Sequence, residues 1–217
     1  MSKANSNGSE CFITGHVQEV VGNPSPLGLL GLGMVTLVAC TQKLAITGGD
    51  THSTALVIPW AIFLGAAAQF VAGLYDFKHN NTFGATAFCG YGFFWFATGM
   101  TWMMQNGMFG MKTGLFLDPH QLGYAFLGYF IFTVIMTVGA MGANKMLFII
   151  FFLIDLLFLG LFMYTLGWGG HAWANLAGYA ELGISIMSFY GVAATVLNTH
   201  YGQTVLPVGA PFGPWVK

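Results

Sequence analysis

Long apolar runs, each about as long as a membrane span, alternate with short polar segments along most of the chain. A helix needs about 20 predominantly apolar residues to cross the hydrocarbon core of a bilayer. Six segments meet this requirement, and the loops that join them are short. The pattern therefore predicts an all-α bundle of six membrane-spanning helices, at about residues 26–44, 54–75, 83–104, 121–141, 146–166 and 172–197.

Composition supports a membrane protein over a soluble one. Of the 217 residues, 56% are hydrophobic and only 6% are charged, whereas soluble domains carry about 25% charged residues. Lipid can replace water around most of such a surface. There is no basic stretch that would favour nucleic acid as a partner, and the chain contains no Arg.

The chain divides into three predicted parts: a polar N-terminal leader (1–22), a six-helix transport domain (23–209) and a C-terminal tail (210–217). The leader lacks the basic and apolar regions of a cleaved signal peptide. If both termini share one side, that side holds four lysines and the other holds two. The positive-inside rule then predicts cytoplasmic termini, from Lys3, Lys78, Lys145 and Lys217 against Lys43 and Lys112.

Enzymatic and metal chemistry have no support in the motifs. Cys11, Cys40 and Cys89 are scattered, without the spacing of a zinc site or a disulfide framework. No metalloprotease, nucleophile-elbow or phosphate-loop motif is present. We therefore expect no enzyme activity, no metal and no cofactor.

Three polar residues fall at membrane depth, where polar groups are costly and usually functional. Asp155 and Glu181 lie within the fifth and sixth segments, with no evident Lys or Arg partner at that level. They form a candidate proton site; the alternative is that each acid is neutral and hydrogen-bonded at a helix or subunit contact. Gln69, in the second segment, either contacts a passing solute or bonds across helices.

The stretch NPSPLGL, from Asn23 to Leu29, stands where the polar leader meets the first apolar run. Pro is accepted in the first turn of a helix, and Asn23 or Ser25 can cap the freed N–H groups. The N–H groups at such a start can bind an anion without a cationic side chain. Taken alone, the stretch favours a capped helix start over an anion site.

Three separated motifs together resemble the acetate uptake transporter family, which includes bacterial succinate–acetate permeases and fungal acetate carriers. NPSPLGL is similar to the family's NPAPLGL, with Ser25 in place of Ala. AQFVAGLYDFKHNNTFGATAFCGYGFFW, from Ala68 to Trp95, resembles the second motif, with Asp76 for Glu and Gly90 for Ser. NTHYGQTVLPVG, from Asn198, resembles the closing motif, with Gln203 for Arg.

The resemblance implies a six-helix protomer that assembles as a hexamer, similar to urea channels, with a pathway in each protomer. It implies acetate and related small monocarboxylates, sometimes succinate, as substrates. A narrow hydrophobic constriction falls on Leu32, Tyr91 and, with weaker motif support, Ile154. The predicted substrate-binding residues are Asn23, Pro24, Ser25, Pro26, Leu27, Gly28, Gln69 and Thr86.

These observations predict a transporter or channel for acetate-like carboxylates in the inner or plasma membrane, with a proton linked to transport. One alternative is a channel for a small neutral or cationic solute such as ammonia, ammonium or urea. Another is a non-transporting scaffold or sensor, whose leader would contact partners through His16 and Glu19.

Overall fold

A computed structural model describes residues 21–48, 53–110 and 117–214. Most of the predicted leader lies outside the described residues, including His16 and Glu19. So do Lys3, Lys112 and Lys217, on which half of the predicted lysine count rests.

Every predicted segment corresponds to a helix, and the described residues contain no strand. The all-α prediction is therefore confirmed. The second helix begins four residues later than predicted, because residues 55–57 form a turn. The helices are α1 (Ser25–Lys43), α2 (Ile58–Lys78), α3 (Thr82–Gln105), α4 (Pro119–Ala140), α5 (Lys145–Thr165) and α6 (Ala172–Tyr201).

Five of these helices are long and apolar enough to cross a membrane: α1, α2, α4, α5 and α6. The 24-residue α3 is not among them; it contains no charged residue but is rich in Gly, Thr and aromatic residues. Large apolar side chains such as Phe63, Ile131 and Ile186 are exposed on the outside of the bundle. An exterior of this kind suits lipid, so the protein is membrane-embedded.

The backbones of α1 and α2 lie close together where the two helices cross. A side chain at Gly31 would overlap the carbonyl oxygen of Leu64, so only Gly allows this crossing. The contact falls on a π-helical stretch of α2, Ala61–Ala68, whose wider hydrogen-bond spacing ends at Gln69. Such stretches often mark functional positions in helices.

Aromatic rings fill the space between α3 and α4. Tyr91 and Phe94 of α3 pack against Phe126 and Tyr129 of α4, and Phe158 of α5 lies among them. The ring centroids of Phe94 and Tyr129 are 4.9 Å apart, in edge-to-face geometry. Of these rings, Tyr91 lines the larger cavity described next, and Tyr91, Phe94 and Phe158 line the smaller one.

Candidate functional site

A cavity of about 340 Å³ opens at the end of the bundle where α1 begins and α6 ends. Its polar lining is amide or hydroxyl throughout, and no described lining residue carries a formal charge. The lining residues are Asn23, Ser25, Leu29, Leu32, Gln69, Asn81, Phe83, Gly84, Ala87, Phe88, Tyr91, Asn144, Met146, Leu147, Ile150, Phe151, Ile154, Thr195, Asn198, Thr199 and Val208.

Leu32, Tyr91 and Ile154 close the inner end of this cavity. The same three side chains also line a second, much smaller cavity of about 10 Å³ deeper in the bundle. They are buried, with exposed fractions of 7%, 4% and 2%. The three residues for which sequence resemblance implied a constriction therefore stand together at the boundary between two cavities.

A hydrogen-bond chain fixes the Tyr91 ring in that boundary. The Thr133 hydroxyl donates to the Tyr129 carbonyl oxygen at 2.7 Å, which uses its only proton. The Tyr91 hydroxyl, 2.9 Å from the Thr133 oxygen, must then be the donor in their bond. Tyr91 consequently keeps acceptor capacity alone.

Gln69 also reaches the inner part of the cavity, and its side chain is fully buried. Its Nε2 donates to the Gly65 carbonyl oxygen at 2.8 Å, one turn back at the π-helical stretch. Its Oε1 has no hydrogen-bond partner among the described residues. Of the two roles predicted for Gln69, the observed bond lies within its own helix and not across helices, and contact with a solute stays a prediction.

The start of α1 contributes to the mouth of the cavity through side chains. Asn23 Oδ1 accepts the Ser25 N–H at 3.0 Å. The Pro24 carbonyl oxygen accepts the N–H groups of Leu27 and Gly28, and Pro26 has none. The N–H groups of this first turn are therefore already paired within the chain, as a capped helix start predicts.

The predicted binding residues divide between the cavity and its surroundings. Asn23, Ser25 and Gln69 line it, whereas Pro24, Pro26, Leu27, Gly28 and Thr86 do not. Thr86 lies on the exposed face of α3, next to the lining residue Ala87, which corrects the prediction for Thr86. Gly28 affects the cavity only through packing, because a side chain there would overlap the ring of Phe88, a lining residue.

The two membrane-depth acids lie outside both cavities and have separate partners. Glu181 is 1% exposed and pairs with Lys43, whose Nζ lies 2.9 and 3.0 Å from its two carboxylate oxygens. The expectation of no cationic partner is therefore wrong for Glu181. Asp155 accepts a hydrogen bond of 2.7 Å from the Thr137 hydroxyl on α4.

Asn198 lines the cavity and was not among the predicted site residues. Its Oδ1 accepts the N–H groups of Val205 and Leu206, and its Nδ2 donates to the Leu206 carbonyl oxygen. These bonds fold the segment after α6 back over the bundle, where Val208 joins the cavity wall. We call Asn198 with the Val205 and Leu206 backbone groups that it binds the clamp. The closing motif NTHYGQTVLPVG contains all three residues, so the signal was present in the sequence.

Comparison with known proteins gives the family. The sequence model of the GPR1/FUN34/yaaH family matches residues 10–210. The chain belongs to the GPR1/FUN34/yaaH family. The match covers all six helices and the segment after α6, so the cavity and its boundary lie wholly within the family's shared region.

Individual relatives point to the same family. The succinate-acetate/proton symporter SatP of Escherichia coli is 34% identical over 191 residues, which cover 87% of this chain and 96% of SatP. Acetate permease A of Emericella nidulans is 32% identical over 63% of this chain and 47% of its own length. The solved structure of the bacterial acetate channel SatP superposes with a TM-score of 0.78 at 32% identity, covering 87% of this chain and 99% of that one.

Proposed function

We propose that this protein transports acetate and related small monocarboxylates across the cell membrane together with a proton. The observation that carries the proposal is the uncharged cavity that ends on Leu32, Tyr91 and Ile154. Its volume, about 340 Å³, accommodates a small carboxylic acid with water. Membership of a family that includes relatives named as acetate permease and succinate-acetate/proton symporter supports the same substrate.

The path of the substrate follows the polarity of the cavity wall. At the mouth, the side chains of Asn23 and Ser25 offer hydrogen bonds to an incoming carboxylate. At the inner end, the side chains of Leu32, Tyr91 and Ile154 leave no room for the hydration shell of a carboxylate. Moving an unpaired charge through such a low-dielectric gap is costly, and a proton that accompanies the anion removes most of that cost.

We propose that all six helices span the membrane and that both termini are cytoplasmic. Among the described lysines, Lys78 ends α2 and Lys145 begins α5 at the same end as the cavity mouth, and Lys43 ends α1 at the opposite end. This distribution supports a cytoplasmic mouth by the positive-inside rule. Labelling single cysteines placed at the two ends with a membrane-impermeant reagent tests the orientation.

We also propose that protomers assemble as a hexamer, each with its own pathway. The exposed apolar side chains of the helices provide surface that a neighbouring protomer or lipid can cover. Cross-linking in native membranes, followed by mass measurement of the purified assembly, tests the number of protomers.

The decisive functional test is uptake of labelled acetate into proteoliposomes, with and without an inward proton gradient. Protein-free liposomes measure the passive entry of acetic acid. Protein-dependent uptake that the gradient increases supports the proposal. Uptake equal to that of protein-free liposomes under both conditions contradicts it.

A channel for ammonia or urea is a second candidate, because an uncharged cavity also admits neutral solutes. A relative named ammonia transport outward protein 2, from Saccharomyces cerevisiae, is 33% identical over 63% of this chain. Ammonium and urea added as competitors in the same assay separate the candidates. Strong inhibition of acetate uptake by either one favours the second candidate.

A further inference from the structure

We infer that Lys43 and Glu181 form a second carboxylate site, at the end of the pathway opposite the cavity mouth, and that Glu181 occupies Lys43 until a substrate carboxylate displaces it. This assignment rests on the proposed function and deepens it, since it gives the binding of substrate and proton at that end to two named residues. Neither residue lines the two cavities described above, and the connection with the pathway comes from where the pair lies along α1 and α6.

One face of α1 runs from the cavity mouth to Lys43. Ser25, Leu29 and Leu32 line the larger cavity. Leu32 and Thr36 line the smaller one. Lys43 follows Thr36 after seven residues, which are two turns and about 10 Å along the helix, so it lies on the same face. A helical side chain points towards the N-terminal end of its helix, and this direction brings the Lys43 ammonium group back towards the smaller cavity.

The cavity-lining face of α6 continues to Glu181 in the same way. Thr195 lines the larger cavity and Ile184, three turns earlier in the helix, lines the smaller one. Glu181 precedes Ile184 by three residues, so it lies on the same face, about 4.5 Å further along the helix. The faces of α1 and α6 that line the pathway therefore both lead to the same ion pair.

The ion pair already has the chemistry of a bound carboxylate. Lys43 Nζ donates to the two carboxylate oxygens of Glu181 at 2.9 and 3.0 Å, as it could to the oxygens of acetate. The side chain of Lys43 is 17% exposed and that of Glu181 is 2% exposed. A carboxylate that arrives from the solution at this end therefore meets the cation before it meets Glu181.

Displacement of Glu181 from Lys43 links the substrate to a proton. A buried carboxylate without its cation is strongly unfavourable, so Glu181 takes up a proton from the solution at this end as acetate binds. The site stays neutral, because Lys43 with ionised Glu181 becomes Lys43 with acetate and protonated Glu181. Transfer of this proton then breaks the O–H bond of Glu181 and forms the O–H bond of acetic acid. The neutral acid leaves towards the constriction, and ionised Glu181 returns to Lys43.

The helices packed against α6 bring few other ionisable groups to Glu181. On α1, Cys40 lies less than one turn before Lys43 and is 1% exposed. On α5, Asp155 bonds to Thr137 of α4 instead. Within the part of the chain that the structure describes, Lys43 is therefore the only charged group paired with Glu181.

Proton uptake on binding tests this exchange directly and does not depend on transport. Acetate is added to the detergent-solubilised protein in weak buffer near neutral pH, and the protons taken up are measured per acetate bound. We expect Glu181→Gln to take up about one proton fewer per acetate than the wild type, because an amide cannot accept the proton. Equal proton uptake by the two proteins, or none by the wild type, overturns the inference.

Asp118→Asn is the matched control for this measurement. Asp118 is an exposed acid that caps the start of α4, at the same end of the bundle as Lys43, and Asn keeps the ability to cap. This variant should take up as many protons per acetate as the wild type. A loss equal to that of Glu181→Gln would mean that any acid at this end has the effect, and this also overturns the inference.

The acetate concentration for half-maximal uptake provides an independent measurement in proteoliposomes. Glu181→Gln replaces a charged competitor for Lys43 by a neutral one, so this concentration should fall about tenfold, the ratio between a charge-assisted and a neutral hydrogen bond. The double variant, Lys43→Met with Glu181→Gln, also removes the cation and should raise the concentration about tenfold above that of Glu181→Gln. Unchanged values in both folded variants mean that the pair is only structural, which overturns the inference.

Failure of the inference and failure of the proposed function give different results. If acetate uptake by the wild type does not exceed that of protein-free liposomes, the proposed function fails and the inference fails with it. If the wild type takes up acetate but Glu181→Gln changes neither proton uptake nor the half-saturating concentration, the proposed function stands and only the inference fails.

Discussion

Removing Lys43 should destabilise the protein strongly, because Glu181 would keep a buried charge without a partner. Both carboxylate oxygens of Glu181 lie within 3.0 Å of Lys43 Nζ, and the side chains of Lys43 and Glu181 are 17% and 2% exposed. Breaking a buried pair from one side costs about 3–5 kcal/mol. Since Lys43 is partly reached by solvent, we expect Lys43→Met to fall at the lower limit, about 3 kcal/mol.

Glu181→Gln and the double variant should lower the free energy of unfolding less than Lys43→Met does. In Glu181→Gln the remaining Lys43 can extend its ammonium group towards the membrane surface, so we expect about 1 kcal/mol. The double variant, Lys43→Met with Glu181→Gln, leaves no unpaired charge and should recover most of the loss. Lys145→Met, at an exposed lysine, serves as the control and should change stability by at most about 0.5 kcal/mol.

Thermal unfolding of the detergent-solubilised protein measures this cycle. For a chain of this size, about 3 kcal/mol corresponds to a fall in Tm of roughly 6–12 °C. Lys43→Met should show this fall, and the double variant should lie within a few degrees of Glu181→Gln. A double variant as unstable as Lys43→Met, or a Lys43→Met protein as stable as the wild type, refutes the assignment of a buried ion pair.

Three further predictions concern packing, the clamp and the constriction. Gly31→Val should lower stability by about 1–3 kcal/mol in thermal unfolding, because it drives a side chain into a backbone carbonyl of α2; Gly128→Val, in open space, should not. Asn198→Leu should lower stability by about 1–3 kcal/mol, since it removes three hydrogen bonds, and should reduce acetate uptake by displacing the cavity wall; unchanged uptake would contradict a role for the clamp. Leu32→Ala should raise uptake of butyrate relative to acetate, whereas Leu37→Ala, on the exposed face of α1, should leave this ratio unchanged.

The number and type of helices were predictable because the apolar runs are long and separated by short polar segments. The start of the second helix was misplaced by four residues, since Thr54, Ala55 and Leu56 are compatible with either a turn or a helix. The π-helical stretch within that helix left no sequence signal; it lies where α1 crosses α2 closely at Gly31.

The candidate site was predictable where family motifs contain its residues. It was less predictable where the arrangement depends on which side chains pair in the folded protein. Leu32 and Tyr91 were located by motif, and both line the boundary between the two cavities. The pairing of Glu181 with Lys43 was missed because 138 positions separate them in sequence. Only the packing of α1 against α6 brings them together, and the pattern of one sequence does not contain that register.

The most direct test of the central claim is the initial rate of labelled acetate uptake by proteoliposomes under an inward proton gradient. We predict a rate well above that of protein-free liposomes, and a rate close to that background when Leu32→Trp closes the constriction between the two cavities. Wild-type uptake at the protein-free rate would contradict acetate transport. Full activity of a folded Leu32→Trp protein would contradict a pathway through Leu32, Tyr91 and Ile154.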